Sequence, residues 1–399
     1  MIPSAVPHPG KRFPATFRSR TPRLLTAVPI CDGHDSAIVT LNLEFVRQGI
    51  EVIYLGYHRS ARDIVRAAVQ EDVQAIGISS YNGGHLEFFS EVRRLLRAQS
   101  AEGIGLFGGG GGTITPADAT LMKRRGVDEI FFAGTPLARV AADVRRLVLQ
   151  SGAKLEPPCV GCYDRLGRDP AGSALVSDRH LGRMLTAVEA GILPSRPHAL
   201  PSAPCIGIAG PGGAGKSTLI DELALRFLKA RPHGRLAILS HDPSLARRGA
   251  LLADRATMIY AQDDRVFMRS LGTRGRSGGL SSATRGCLEI LKRAGFQMVL
   301  VESAGIGQED APFAGRLVDK TVLVMSPDYG SRLQLQKIVM LETADAIVVN
   351  KCDLPGARTA TTEIAQRLAS NSKGQKLVST VAKRHRDPGV DELFKNLLP

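Results

Sequence analysis

Gly210-Pro211-Gly212-Gly213-Ala214-Gly215-Lys216-Ser217 is the stretch on which the fold turns. The apolar run Cys205-Ile206-Gly207-Ile208-Ala209 precedes it, and apolar residues at helical spacing follow it over 217–230. Glycines at the first, third, fourth and sixth positions free the backbone to curl, so that successive N–H groups close on phosphate oxygens. The helix N-terminus adds its dipole. Strand, glycine-rich loop and helix in that order predict a phosphate-binding loop. Nucleotide contacts are expected from Gly210, Gly212, Gly213, Ala214, Gly215, Lys216, Ser217 and Thr218. Lys216 is placed to reach the β- and γ-phosphates, and the Ser217 hydroxyl to ligate Mg2+.

The strand–helix alternation extends in both directions. Downstream, short apolar runs recur at 236–240, 298–302, 320–325, 346–350 and 376–379. Upstream they occur at 24–30, 51–55, 75–79, 104–107 and 129–132, separated by helical patterns at 38–48, 62–70, 86–98 and 117–124. Such alternation predicts an α/β protein with two doubly wound parallel-sheet domains. Between them, Pro157, Pro158, Pro170, Pro194, Pro197 and Pro201 punctuate the chain around one helical pattern, 180–190. The expected organisation is a disordered lead-in (1–22), a flavodoxin-like domain (23–150), a linker with a docking helix (151–200) and a P-loop domain (201–399).

Composition narrows the function classes. A chain of 399 residues with 43% hydrophobic content can build two cores. Its formal net charge is +14, but the arginines are scattered, which fits a solvated surface rather than a nucleic-acid footprint. Aromatics make up 5% and Trp is absent, which disfavours a base-stacking platform. No apolar run approaches the roughly 20 residues that span a bilayer, and residues 1–23 lack the apolar core of a secretory signal. A cytoplasmic location, with neither membrane nor nucleic acid as partner, is expected. The six cysteines do not form a disulfide framework, and Cys159-Val160-Gly161-Cys162 lacks the second ligand pair of a zinc site.

Asn350-Lys351-Cys352-Asp353 follows an apolar run and lies in register with the P-loop. A carboxylate at Asp353 would accept both guanine N1–H and the 2-amino group. Adenine offers no such donor pair, so GTP is the expected nucleotide. Three acids lie between the motifs: Asp242, Asp254 and Glu302. Acids beside a P-loop are placed to hold Mg2+ directly or through water. With Ser217 they form the candidate metal set, and Lys216, Asp242 and Glu302 the candidate catalytic set.

These segments, with Glu302-Ser303-Ala304-Gly305-Ile306-Gly307-Gln308, resemble the MeaB/ArgK-type GTPases, chaperones of cobalamin-dependent acyl-CoA mutases. The resemblance implies GTP hydrolysis, guanine contacts from Asn350, Lys351 and Asp353, nucleotide contacts from Val381 and Ala382, and a switch region around Gln308. Ser303-Ala304, Ala253 and Thr257 depart from that family's usual residues and bear on the rate of hydrolysis.

The upstream half carries a second constellation. Asp32-Gly33-His34-Asp35 follows the first apolar run, and D-x-H suits a single-His metal contact with a carboxylate behind it. Ser79-Ser80-Tyr81-Asn82-Gly83-Gly84-His85 ends the third run, and Gly108 to Gly112 ends the fourth. Small residues at neighbouring strand ends leave a slot for a bulky, flat group. The three segments resemble the cobalamin-binding domain of methylmalonyl-CoA mutase-type enzymes. The resemblance implies adenosylcobalamin as cofactor, with His34 as lower cobalt ligand and Asp32 as its hydrogen-bond partner. It implies a tail slot lined by Ser79, Gly108, Gly109 and Gly110, with Asp35, Tyr81, Gly83, Gly84, Gly134 and Thr135 also at the cofactor. A flavodoxin-like domain with another ligand stays open as the alternative.

Taken whole, the chain resembles the N-terminal cobalamin and GTPase portion of fused isobutyryl-CoA mutases without their acyl-CoA-binding barrel. The expected role is a GTP-hydrolysing adenosylcobalamin carrier, with GTP, GDP and a separate mutase large subunit as partners. A cofactor-carrying small subunit of such an isomerase, and a homodimer, stay open.

Overall fold

The computed structural model describes residues 21–30, 32, 36–154, 176–192, 202–245, 248–307, 310–329, 338–371 and 373–398. In the first unit, β1 (Arg23–Ala27), β2 (Glu51–Tyr54), β3 (Ala75–Ser79), β4 (Gly105–Gly110) and β5 (Glu129–Phe132) alternate with α1 (Ser36–Arg47), α2 (Ala61–Gln70), α3 (His85–Ala98), α4 (Pro116–Arg124) and α5 (Leu137–Lys154). After α6 (Asp178–Glu189) come β6 (Cys205–Ala209), α7 (Lys216–Ala230), β7 (Leu236–Asp242), β8 (Ala250–Leu252), α8 (Asp254–Thr257), β9 (Val266–Gly272), α9 (Thr284–Leu291) and β10 (Met298–Glu302). The chain continues through β11 (Lys320–Met325), α10 (Met340–Thr343), β12 (Ala346–Val349), α11 (Ala357–Ala369), β13 (Lys376–Ser379) and α12 (Pro388–Leu397).

Local chemistry sets several boundaries. Ser60 with Asp63 and Thr115 with Asp118 form reciprocal capping boxes at α2 and α4. Asp387 caps α12 ahead of Pro388, whose missing N–H costs nothing in the first turn. Strands such as β1, β3, β6 and β10 are buried at every residue, as parallel strands covered on both faces must be.

Both sheets are parallel throughout. The first has the order β5-β4-β3-β1-β2-β8, and the second β13-β12-β11-β6-β10-β7-β9. The chain therefore moves to either side of β1 and of β6. Crevices open at the C-terminal ends of those strands, where open α/β sheets bind ligands.

Four features depart from the sequence reading. β1 ends at Ala27, three residues early, because Pro29 makes only an isolated bridge to Arg59. α5 runs past residue 150 to Lys154. β9 is hidden in the sequence because Arg269 and Ser270 interrupt its apolar run; both are nonetheless fully buried. β8 is hidden too. It has three residues and no pattern, and it pairs not with the sheet of its own unit but with β2 (Glu51↔Ala250, Val52↔Leu251, Ile53↔Leu252).

The two units therefore share a sheet, and they share a core of charge. Glu71, just past α2, is fully buried. It accepts from Arg23 Nη2 at 2.7 Å, from Arg255 Nε at 2.8 Å and from the Ser270 backbone at 3.0 Å. Glu189 of α6 meets Arg269 at 2.5 Å and Arg274 at 2.9 Å, and Glu51 meets Arg23 at 3.2 Å. Arg23 and Glu51 belong to the first unit, and Arg255, Arg269 and Arg274 to the second. Apolar residues of α6, among them Leu181, Leu185 and Val188, pack into the core with Cys205, Leu239 and Phe267.

Candidate functional site

The P-loop leaves β6 at the switch point of the second sheet. Gly215 caps α7 at φ +90°, and a Cβ there would stand 2.4 Å from Asn350 Nδ2. Glycine is required on both counts. Gly212, Gly213 and Thr218 are exposed, and Ala214 is buried. Lys216 Nζ donates to the Gly210 and Pro211 carbonyls at 3.1 and 3.2 Å across the mouth of the loop.

Behind the loop, the expected acids come together. Ser217 Oγ lies 2.8 Å from Glu302 Oε1 and 3.3 Å from Asp254 Oδ1. Ser240 Oγ bonds Asp254 Oδ2 and reaches Glu302 Oε2 at 3.2 Å. Asp242 is the last residue of β7 rather than a loop residue, and Asp254 opens α8. His241 holds the Glu302 carbonyl at 2.7 Å through Nδ1 and Thr284 Oγ1 at 2.8 Å through Nε2. Burial pushes its pKa down to about 4, so the ring is neutral at pH 7.

The electrostatics point to a missing positive charge. Burial first, then the Asp254 charge, pushes Glu302 up to about 8. Burial, then Asp254 and Glu302, raises Asp242 well above the usual carboxylate range, and burial raises Asp254 as well. Burial lowers Lys216 against the pull of all three. Asp242 Oδ2 is buried with no hydrogen-bond partner. One lysine cannot hold three buried carboxylates ionised. The residues therefore fit a divalent cation. Among the described residues, no group of three or more His, Cys, Asp or Glu side chains could hold a metal by itself. Ser217, nucleotide phosphates and water would complete the ligand set. When bound, Mg2+ would neutralise charge on the phosphate oxygens.

The guanine motif is stapled to the P-loop. Asn350 donates to the Ala214 carbonyl at 2.9 Å and accepts from Thr380 Oγ1 and Ala382 N, each at 3.0 Å. Lys351 takes the left-handed φ of +59°. Asp353 is paired with Lys383, whose hydrogen bond holds its pKa low and keeps it an acceptor. Val381 and Ala382 are buried beside Asn350. Ser240, His241, Thr380 and Lys383 are site residues that the sequence reading misses. Only the position of Ser240 and His241 just before Asp242 gives a signal for any of them.

The second crevice lies at the switch point of the first sheet. A cavity of about 290 Å3 is lined by Ser79, Tyr81, Gly108, Gly109, Gly110, Gly134 and Thr135, with Phe107, Phe131 and Leu137 among its apolar walls. Gly83 and Gly84 lie outside it, and Gly84 caps α3 at φ +88°. The glycine run also serves packing. A Cβ on Gly110 would stand 1.8 Å from the Ser80 carbonyl oxygen, and one on Gly108 2.3 Å from Phe89. Asp32 is buried, and one of its oxygens accepts the Tyr81 N–H, which ties the exit of β1 to that of β3. His34, Asp35 and Gln308 lie outside the described residues, as do Cys159 and Cys162.

With both sites described, known proteins can be set beside them. Residues 192–398 match the family described as Methylmalonyl Co-A mutase-associated GTPase MeaB. The chain belongs to that family. Residues 22–141 match the B12 binding domain, so the MeaB-type unit and a cobalamin-type unit stand on one chain. Fused isobutyryl-CoA mutase from Geobacillus kaustophilus is 37% identical over 94% of this chain and 36% of its own length. The same-named protein from Cupriavidus metallidurans is 38% identical over 94% and 35%. The chain thus spans about a third of the length of these relatives. A solved LAO/AO transport system kinase structure is 23% identical, with a TM-score of 0.39 over 66% of this chain and 77% of that one. Among the described residues no helix is long and apolar enough to cross a membrane.

Proposed function

We propose that this protein is a GTP-hydrolysing carrier of adenosylcobalamin that loads or maintains the cofactor of a separate cobalamin-dependent acyl-CoA mutase. One observation carries the reading most: the carboxylate cluster of the MeaB-type unit and the glycine-lined slot of the cobalamin-type unit sit on sheets joined through β8. The reading assigns His34 the lower face of cobalt and the slot the displaced nucleotide tail. It assigns Asp353 the guanine edge, and Ser217, Asp242, Asp254 and Glu302 the Mg2+.

Lys216 would move from the loop carbonyls to the β- and γ-phosphates as nucleotide enters. Binding would order the reactants and exclude bulk water, which is most of what phosphoryl transfer asks of a protein. The test is the spectrum of adenosylcobalamin on the purified protein. A His-bound, tail-displaced form is expected, lost in His34→Ala while GTP hydrolysis persists. A wild-type spectrum that keeps the cofactor's own base on cobalt would overturn the axial role of His34.

A second reading is a cofactor-carrying subunit of an isobutyryl-CoA-type mutase. It is favoured by the 37% identity across 94% of this chain to fused mutases. Isobutyryl-CoA isomerisation that appears only on mixing with a separate barrel subunit, without net transfer of cobalamin, would select it.

A further inference from the structure

Asp254 is the one acid of the nucleotide site whose backbone is anchored mainly from the other unit. Two residues before it, β8 ends its pairing with β2. Immediately after it, the fully buried Arg255 is clamped by Glu71 at 2.8 Å and Gln70 at 2.9 Å, both contributed by the first unit. The next carbonyl, Ala256 O, accepts from Arg59 Nη2 at 3.0 Å, and Arg255 O lies 3.5 Å from the same nitrogen. Arg59 is held in turn by Nε to Leu55 O at 2.6 Å. The backbone closes on the same turn at Gly56, which at φ +80° brings its absent Cβ to 3.4 Å from Ala256 Cβ.

The other side of this loop meets the exit of β1. Arg59 N donates to Val28 O at 3.1 Å, Val28 N donates to Gly56 O at 3.0 Å, and His58 Nδ1 lies 3.1 Å from Ile30 O. His58 takes the left-handed φ of +59°, a conformation costly for a non-glycine residue. One loop, residues 56–59, thus bonds both the turn that presents Asp254 and the strand exit that leads into residues 31–35.

We propose that Arg59 is a positioning residue of the nucleotide site: from the cobalamin-type unit it fixes the Asp254–Ala256 turn and so sets where the Asp254 carboxylate meets Ser217 and the cation. The inference rests on reading residues 210–217 with Asp242, Asp254 and Glu302 as a Mg2+–nucleotide site. Arg59 touches neither nucleotide nor metal. Its loss should therefore spare nucleotide contacts that do not involve the cation.

The experiment measures the affinity of full-length protein for a fluorescent N-methylanthraniloyl-GDP, with saturating Mg2+ and with EDTA, in Arg59→Met, Arg59→Lys and the parent. Removing a charge-assisted hydrogen bond to a buried turn should weaken the Mg2+-dependent tightening about tenfold in Arg59→Met. Affinity in EDTA should match the parent within twofold, and Arg59→Lys should recover part of the loss. Mg2+-dependent tightening in Arg59→Met within twofold of the parent overturns the proposal. So does an equal loss with and without Mg2+, which marks a general disturbance of the fold. A parent whose nucleotide affinity ignores Mg2+ overturns the nucleotide-site reading itself.

Discussion

Replacing Glu71 by Gln tests the charge core that joins the two units. The side chain keeps its shape and loses its charge. In the structure, four guanidiniums (Arg23, Arg255, Arg269, Arg274) face three carboxylates (Glu51, Glu71, Glu189) across the interface. Of these acids, Glu71 is the one that meets Arg23, Arg255 and Arg269 at once. Despite full burial, those arginines hold its pKa below the usual carboxylate value. The amide introduced by Glu71→Gln would turn two donor hydrogens toward a site where guanidiniums and the Ser270 N–H already donate. Breaking a buried ion pair from one side costs about 3–5 kcal/mol. With a urea slope of about 3 kcal/mol/M, the midpoint falls by roughly 1–2 M. Because the lost contacts lie between units, the melt should also separate into two transitions, read by far-ultraviolet circular dichroism alongside protease susceptibility. A single transition with a midpoint within about 0.3 M of the parent would refute the argument.

Three further outcomes are expected. Gly110→Ala forces a methyl to within 1.8 Å of the Ser80 carbonyl oxygen, so strand β4 or the loop after β3 must shift. Cobalamin affinity, read by spectral titration, should fall at least about tenfold, while GTP hydrolysis should stay within about twofold of the parent. Asn350→Ala removes bonds to Ala214, Thr380 and Ala382 and leaves buried groups unpaired. Guanine nucleotide affinity by titration calorimetry should fall about a hundredfold. Glu189 titrates at about 2, against 4.5 for the free side chain, because burial is outweighed by Arg269, Arg23 and Arg274. The unfolded chain thus binds the extra proton between those values, and stability rises with pH there. Urea melts should show up to about 3 kcal/mol lost as pH falls from about 4.5 to about 2, and Glu189→Gln should lose that component of the slope.

Much of the fold is legible in local pattern. Runs such as Cys205–Ala209 and Ala75–Ser79 are apolar because both faces of a parallel strand are covered, and that burial is written residue by residue. β9 is illegible because its buried Arg269 is neutralised by Glu189, a partner 80 residues away. Ser240 looks like any strand-end serine, and only its approach to Asp254 and Glu302 makes it part of the site.

Residue order alone is enough for the fold class and for two candidate ligand sites. A phosphate loop, a guanine motif and glycine-rich strand ends work through backbone shape and residue type within a few positions of one another. How the sites are joined is a matter of three-dimensional packing. β8 has three residues, no periodicity and no motif, and its pairing with β2 follows from which sheet edge lies in reach once both units have folded. The same holds for Arg59 and Arg255. An arginine in a sequence has no stated partner, and these two acquire theirs, Ala256 O and Glu71, from chain 184 residues away or more.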